Sequence, residues 1–234
     1  MDKEWIIDDF AIRSFRDRAD EDYISARMAY RAALAVPSLW SSLQAIEKYL
    51  KCILLLNRIS CKDAGHNLRI ALDAINASGR VKLDLCGRTA DLINHLDGFG
   101  SFRYLEISNV AFGSNLIAPD RAVWELRRFC CKDREPIRLK LEQGIAPPKF
   151  RIEGGYLEAI LDNTQNPARE PLLWRNVFFG KRQRRRVRRN DWMKAENAPL
   201  YLHPELIDEI LKYVHLPKEL VKAYRALAGE QKKP

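Results

Sequence analysis

The apolar residues between Ser38 and Arg58 recur with the period of a long, buried helix. Spacings of three and four residues place one apolar stripe along it, formed by Leu39, Leu43, Ile46, Leu50 and Ile53. From Ile53 to Leu56 the apolar residues surround the whole helix, so this end should have neighbours on several sides. Ser38 is predicted to cap the helix after a turn at Pro37. The pattern therefore predicts the central helix of a bundle.

A second amphipathic pattern precedes this helix and predicts another long one, from Asp8 or Asp9 to about Val36. Its apolar face is formed by Ile12, Phe15, Ala19, Tyr23, Ala26, Tyr30 and Ala33. Because only a short turn joins the two helices, they should run antiparallel. Further apolar periods predict helices over 64–77 and 81–96 and another that begins at Pro119 or Asp120. The predicted fold class is all-α, an up-and-down helical bundle.

The residues GIAPPK, 144–149, are predicted to be a linker between the bundle at 1–143 and a C-terminal extension at 150–234. The extension has a mixed pattern that is mainly helical. GGYLEAIL, 154–161, predicts a short helix, and the polar, proline-containing residues 163–171 predict a loop. Two more short helices are expected near the end, each with a proline at its first position and the second closed by Gly229.

Charge changes this picture at residues 181–189, KRQRRRVRR, which we call the basic segment. It contains no acid and seven basic residues, Lys181, Arg182, Arg184, Arg185, Arg186, Arg188 and Arg189. Without these seven, the formal charge of +9 falls to +2, so the positive excess is local. Aromatic residues flank the segment at Trp174, Phe178, Phe179 and Trp192, and arginines with aromatics are typical of RNA contacts. The alternatives are a solvated loop, an accidental import-like signal or a segment that binds an acidic protein.

Composition excludes several other classes of protein. The longest apolar run is too short to cross a bilayer, and the acidic first residues lack the order of a signal peptide, so no membrane association is expected. Five cysteines without a Cys-x-x-Cys pair favour a reduced, cytoplasmic protein. The four histidines are scattered and no glycine-rich phosphate loop occurs, so neither a metal site nor a cofactor is predicted.

Three short motifs occur in order along the predicted bundle. The first, Ala-Asp-x-Asp-Tyr…Ala-Arg, consists of Ala19, Asp20, Asp22, Tyr23, Ala26 and Arg27. The second, Ala-x-Glu-Lys-x-x-Lys, consists of Ala45, Glu47, Lys48 and Lys51. The third, His-x-Leu, consists of His66 and Leu68 in the first turn of the next predicted helix. Together they resemble the HEPN (higher eukaryote and prokaryote nucleotide-binding) family over about residues 10–142, which implies a HEPN-like helical bundle.

The resemblance implies a protein that acts on RNA, as a metal-independent endoribonuclease of a prokaryotic defence or toxin–antitoxin system. HEPN ribonucleases use an arginine followed at short spacing by a histidine, a pattern that Arg88 and His95 match with six residues between them. His95 is then the general acid or base at the ribose 2′-hydroxyl, and Arg88 stabilises charge on the phosphate. The alternative is a non-catalytic module that binds a nucleotide or a protein partner, with Arg88 a surface residue and His95 a helix-end residue near the negative end of the dipole.

The same resemblance implies a homodimer and a nucleotidyltransferase-like antitoxin as a partner. It also makes Glu47, Lys48, Lys51 and His66 candidate ligand-facing residues. Their alternative role is structural, because Glu47 and Lys51 have the spacing of an ion pair on a helix surface. His66 would then form a capping or interhelical hydrogen bond.

Overall fold

A computed structural model describes residues 3–100, 109–111, 116–131, 152–180, 193–195, 203–212, 216 and 218–230. The architecture is an all-α bundle, as predicted. Its α-helices in chain order are α1 (Lys3–Ala11), α2 (Asp17–Arg31), α3 (Ala35–Leu56), α4 (Leu68–Ala77), α5 (Gly87–Gly100), α6 (Ile117–Arg127), α7 (Tyr156–Asp162), α8 (Arg169–Leu173), α9 (Ile207–Ile210) and α10 (Lys218–Glu230). Two short strands, β1 (Asn109–Ala111) and β2 (Met193–Ala195), pair antiparallel. Within these ranges, no helix has the length and apolarity needed to span a membrane.

The first predicted helix begins earlier than Asp8. It starts at Lys3 and continues through a π-helical stretch, Ile12–Arg16, into α2. A π-helical turn is wider than an α-turn, so it rotates the face that follows it relative to the face before it. Ala11 and Ala19, on either side of the stretch, are both fully buried. The π-helical stretch thus allows one long helical segment to keep contact with the core.

The turn between α2 and α3 occurs at residues 32–34, before the predicted position. Ala33 has a left-handed φ of 57°. Its N–H donates to the carbonyl of Tyr30 at 3.0 Å, and the N–H of Leu34 donates to that of Ala29 at 2.9 Å. These two bonds form a Schellman motif, which ends α2 without a glycine. The short turn folds α3 back along α2, with which it makes its most extensive contact.

The start of α3 differs from the prediction. The helix begins at Ala35, so Pro37 lies in its first turn, where the missing N–H has no helical partner to lose. Ser38 is not the cap. Its hydroxyl donates instead to the carbonyl of Ala26 in α2, at 3.0 Å, and so joins the two helices.

The centre of the bundle is α3, which also contacts α4, α5 and α6. The fully buried residues of its second half are Tyr49, Leu50, Cys52, Ile53 and Leu54. They surround the helix, which confirms that this end has neighbours on several sides. All five cysteines of the chain are free thiols.

Three other helices have shifted boundaries. α4 begins at Leu68, and the side chain of Asn67 caps it by accepting the N–H of Ile70 at 2.8 Å. α5 begins at Gly87 instead of residue 81. α6 begins at Ile117 instead of Pro119 or Asp120, and the side chain of Asp120 is fully buried.

Residues 152–180 pack against the bundle. The predicted short helix is confirmed as α7, while α8 replaces the end of the predicted loop. Leu157, Ile160 and Leu172 belong to the same buried core as α3. The predicted linker at 144–149 lies outside the described residues.

The two short helices expected near the end are confirmed. A 3-10 turn, Pro204–Leu206, leads into α9, and α10 follows. Ile207, Leu220 and Tyr224 form a small core of their own. Gly229 lies inside α10 instead of ending it.

Candidate functional site

The helix α5 carries the two residues that the sequence indicates as catalytic. Thr89, Ile93 and Leu96 recur at spacings of four and three, are all buried, and fix the inward face of the helix. Arg88 and His95 are both exposed. Seven residues of α-helix amount to nearly two turns, so these two side chains leave the helix on one flank, about 10 Å apart along its axis.

The electrostatic surroundings of this flank suit the proposed roles. Although His95 is exposed, the neighbouring chain partly desolvates its ring, and this lowers the pKa of the imidazole from its ordinary value. Neutral imidazole therefore predominates near pH 7 and can accept a proton. Across the described residues, no carboxylate forms an ion pair with Arg88. Arg88 is exposed on this flank.

A second group of predicted residues meets at the side of α3. The Glu47 carboxylate is 7% exposed. Its Oε1 accepts a hydrogen bond from Lys51 Nζ at 2.7 Å and lies 3.0 Å from His66 Nδ1. Among the described residues, its Oε2 is buried without a partner. Lys48 is not part of this group, because its amine pairs with Asp22 of α2.

His66 precedes α4 and is not in its first turn. Its side chain is 73% exposed, with Nδ1 directed toward the buried Glu47. This contact joins α3 to the residues just before α4. A ring held by a carboxylate on one nitrogen leaves the other nitrogen to solvent or to a ligand.

The structure does not bring the two groups together. The carboxylate of Asp97 on α5 accepts the backbone N–H of Leu68 at 2.7 Å, so this side of α5 faces α4 and the chain next to His66. His95 lies two residues before Asp97, which is 200° of helical rotation. The flank of Arg88 and His95 is therefore on the side of α5 opposite to Asp97, and no hydrogen bond or ion pair among the described residues joins it to the Glu47 group.

Asp20, Tyr23 and Arg27 of the first motif are buried. Tyr23 donates its hydroxyl to Asp120 at 2.5 Å, and Arg27 also pairs with Asp120. Asn176 Nδ2 donates to the Tyr23 hydroxyl at 2.8 Å. Burial is the main cause that raises the pKa of Tyr23, so the phenol stays protonated and remains a donor.

The same motif also anchors the segment that follows residue 152. Arg27 Nε donates to the carbonyl of Pro171 at 2.9 Å, and another of its nitrogens donates to that of Trp174. Asp20 pairs with Arg127, which also binds Glu158. Asp20, Tyr23 and Arg27 of the first motif thus form part of a buried polar network. This role accounts for their spacing without reference to a ligand.

Close packing around the network requires a glycine at position 155. A β-carbon there would lie 2.1 Å from Glu158 Oε2 and 2.9 Å from Arg127 Nη2. No pattern in the sequence predicts Arg127, Glu158 and Asn176 as members of the network, and Asp120 was predicted only as a helix start. Asp120 lies inside the helix, and its two partners, Tyr23 and Arg27, belong to the first motif. Spacing along the sequence alone does not reveal that these residues meet.

The basic segment and Trp192 lie outside the described residues. Among the residues that are described, no group of three or more His, Cys, Asp or Glu side chains could hold a metal ion. No family model, curated protein or solved structure matches this chain.

Proposed function

We propose that the protein acts on RNA and that Arg88 and His95 form a metal-independent endoribonuclease site. The observation that supports this proposal is the exposed flank of α5, where Arg88, which has no carboxylate partner among the described residues, accompanies an imidazole of lowered pKa. These are the two groups that cleavage at a ribose requires: a base for the 2′-hydroxyl and a cation for the phosphate.

In this mechanism His95 takes the proton of the 2′-hydroxyl, and the 2′-oxygen attacks the adjacent phosphorus. Arg88 donates hydrogen bonds to the non-bridging oxygens and stabilises their developing charge. The bond from phosphorus to the 5′-oxygen breaks, and that oxygen takes a proton from solvent. The products are a 2′,3′-cyclic phosphate and a 5′-hydroxyl. DNA is not a substrate, because it lacks the attacking oxygen.

A cleavage assay in EDTA tests the proposal. Wild-type protein should cut RNA, leave DNA whole and produce cyclic phosphate ends. His95→Ala and Arg88→Ala should each abolish cleavage and leave the fold intact, since both residues are exposed. His203→Ala is the matched control, because His203 is also an exposed histidine but lies outside α5. RNA left whole by wild type, or cut equally by His95→Ala, would contradict the proposal.

The proposed enzyme is a homodimer, in which a second α5 flank completes the site. The resemblance to the HEPN family implies this dimer. Sedimentation at micromolar concentration should give about twice the chain mass of 27.1 kDa. A nucleotidyltransferase-like antitoxin remains a predicted partner, and co-expression with loss of the cleavage activity is its test.

The Glu47 group favours a second function, that of a non-catalytic module that binds a nucleotide or a protein partner. Its Oε2 is a buried acceptor without a donor among the described residues, next to the exposed ring of His66. A ligand amino group could satisfy that oxygen. Calorimetry with adenine, guanine and cytosine nucleotides tests the idea, because Glu47→Gln should abolish binding while His95→Ala should leave it unchanged. Absence of any nucleotide binding would leave a protein partner as the ligand.

A further inference from the structure

Arginine and aromatic side chains form a continuous series of ring contacts along α6. Arg121 Cζ lies 5.3 Å from the ring centre of Phe178, which stacks on Trp124 at 6.0 Å with an interplanar angle of 25°. Arg128 Cζ lies 4.9 Å from the Trp124 ring and 5.1 Å from that of Phe129. We call these five residues the α6 stack.

Helical spacing and one hydrogen-bonded turn build the stack. Arg121, Trp124 and Arg128 are separated by three and four residues, so they form one stripe along the helix and its end. Phe178 comes from the chain that follows α8. Asn176 fixes it there, because its Oδ1 accepts the N–H of Phe178 at 3.0 Å and its Nδ2 donates to the carbonyl of Leu172 at 3.0 Å. The stack is therefore preorganised.

The stack carries positive charge that the described residues do not fully pair. The Nε–H groups of Arg121 and Arg128 are both buried without an acceptor in that part of the chain. Glu125 lies 3.8 Å from Arg121, which is beyond hydrogen-bond length, and its other oxygen accepts the N–H of Cys86 at 3.2 Å. Glu125 therefore neutralises the charge of Arg121 only in part.

The inner members of the stack already cover one another. Arg128 is 8% exposed and lies between two aromatic rings. Arg121 is at the outer end, with 33% of its side chain exposed. The planar guanidinium of Arg121 is thus the surface on which a further planar group can stack. Nucleobases stack well on arginine planes, and a stack of this kind tolerates any base sequence.

We propose that the α6 stack binds single-stranded RNA by stacking a base on Arg121. This inference rests on the proposed action on RNA and adds the surface that receives the bases. Phe178 lies three residues before Lys181, the first residue of the basic segment. The stack is therefore close in sequence to the part of the chain with the highest density of positive charge. An acidic peptide would use the charge but not the planar surface, and this difference separates the two ligands experimentally.

The experiment compares two ligands with equal numbers of phosphates, a short single-stranded RNA and an abasic oligomer of the same length. Both are titrated into the full chain carrying His95→Ala, which keeps the RNA whole. The RNA should bind more tightly, by roughly tenfold for one stacked base. Arg121→Lys keeps the charge but removes the planar group, so it should reduce this preference to near unity. Arg69→Lys is the matched control, since Arg69 is exposed on α4, away from the stack.

Each outcome decides a different point. Equal binding of the two ligands, or a preference that survives Arg121→Lys, would overturn the α6 stack as a base-binding surface and leave action on RNA standing. Failure of both ligands to bind would remove the proposed function and the inference together. Polyglutamate that competes as well as RNA would assign the surface to an acidic protein. A thermal midpoint within the range of the control shows that Arg121→Lys is folded, and Arg121→Gln should lose the preference as well.

Discussion

The guanidinium of Arg127 meets the carboxylate of Asp20 through two hydrogen bonds, from Nε to Oδ1 at 2.8 Å and from Nη2 to Oδ2 at 2.9 Å. The side chains are 4% and 0% exposed. Arg127 also donates to both oxygens of Glu158, at 2.8 and 2.7 Å. One cation thereby joins α2, α6 and α7, in the forked geometry that makes arginine–carboxylate pairs strong.

Removal of one partner of this buried pair should be costly. Asp20→Ala removes one of the two carboxylates that neutralise the buried charge of Arg127. The free energy of unfolding should therefore fall by about 3–5 kcal/mol. Urea denaturation measures it. Asp9→Ala is the control, because Asp9 pairs with Arg13 at the surface, where a pair contributes about 1 kcal/mol or less. A loss for Asp20→Ala no larger than that of the control would show that the network does not hold the helices together.

Acid should weaken the same network through Glu158. Although burial opposes it, Arg127 lowers the pKa of Glu158 below its ordinary 4.5. Because the pKa is lower in the folded state, this carboxylate contributes stability above the unfolded value, and the contribution is lost as the pH falls through the folded value. Asp20 behaves oppositely, since its complete burial raises its pKa despite Arg127.

The measurement is a series of urea denaturations from neutral to acidic pH. Glu158→Gln should be less stable than wild type near pH 7, and its stability should fall less as the pH drops. The exposed Glu153 of the same segment provides the control variant Glu153→Gln. An acid dependence that is identical in Glu158→Gln and wild type would exclude this carboxylate as the acid-sensitive group.

The pH dependence of RNA cleavage should report the imidazole of His95. Desolvation lowers its pKa below the ordinary 6.5, so the neutral base is already the main form before pH 6.5 is reached. The logarithm of kcat/KM should rise with pH, bend below 6.5 and be flat toward neutrality. A bend at or above 6.5 would point to a different base.

The salt dependence of RNA binding should report the basic segment. Replacing Arg184, Arg185 and Arg186 with Gln should flatten the slope of log affinity against log salt by about two, since each lost phosphate contact on a single strand removes roughly 0.7. The control variant changes the same charge elsewhere, with Gln at Arg13, Arg18 and Arg69. A slope equal to that of wild type would assign the basic segment to another ligand.

Apolar periodicity was sufficient to predict the helices but not their ends. α1 begins before Asp8 because Arg58, from the end of α3, pairs with both Glu4 and Asp8 and holds the first turn. The hydroxyl of Ser38 has a partner in α2, and the carboxylate of Asp120 has partners in the first motif. For Ser38, a tertiary hydrogen bond replaces the local cap that sequence rules assume.

The candidate site could likewise be predicted only in part from the sequence. The common flank of Arg88 and His95 follows from helical spacing alone and was predictable. The bond between Arg127 and Asp20 joins residues 107 positions apart, and no local pattern marks it. The α6 stack also depends on Phe178, which comes from a turn distant in the sequence and packs against Trp124.

The order in which the ribosome makes the chain has a consequence for the two buried arginines. Arg27 receives an acceptor 144 residues later, at Pro171, and Arg127 receives one 31 residues later, at Glu158. When α2 and α6 have left the exit tunnel, both guanidinium groups still lack part of their acceptors and must keep water instead. Water can therefore leave the interface between these helices only after the segment around Trp174 has emerged. The interior of the nascent protein is thus completed by residues that are synthesised late.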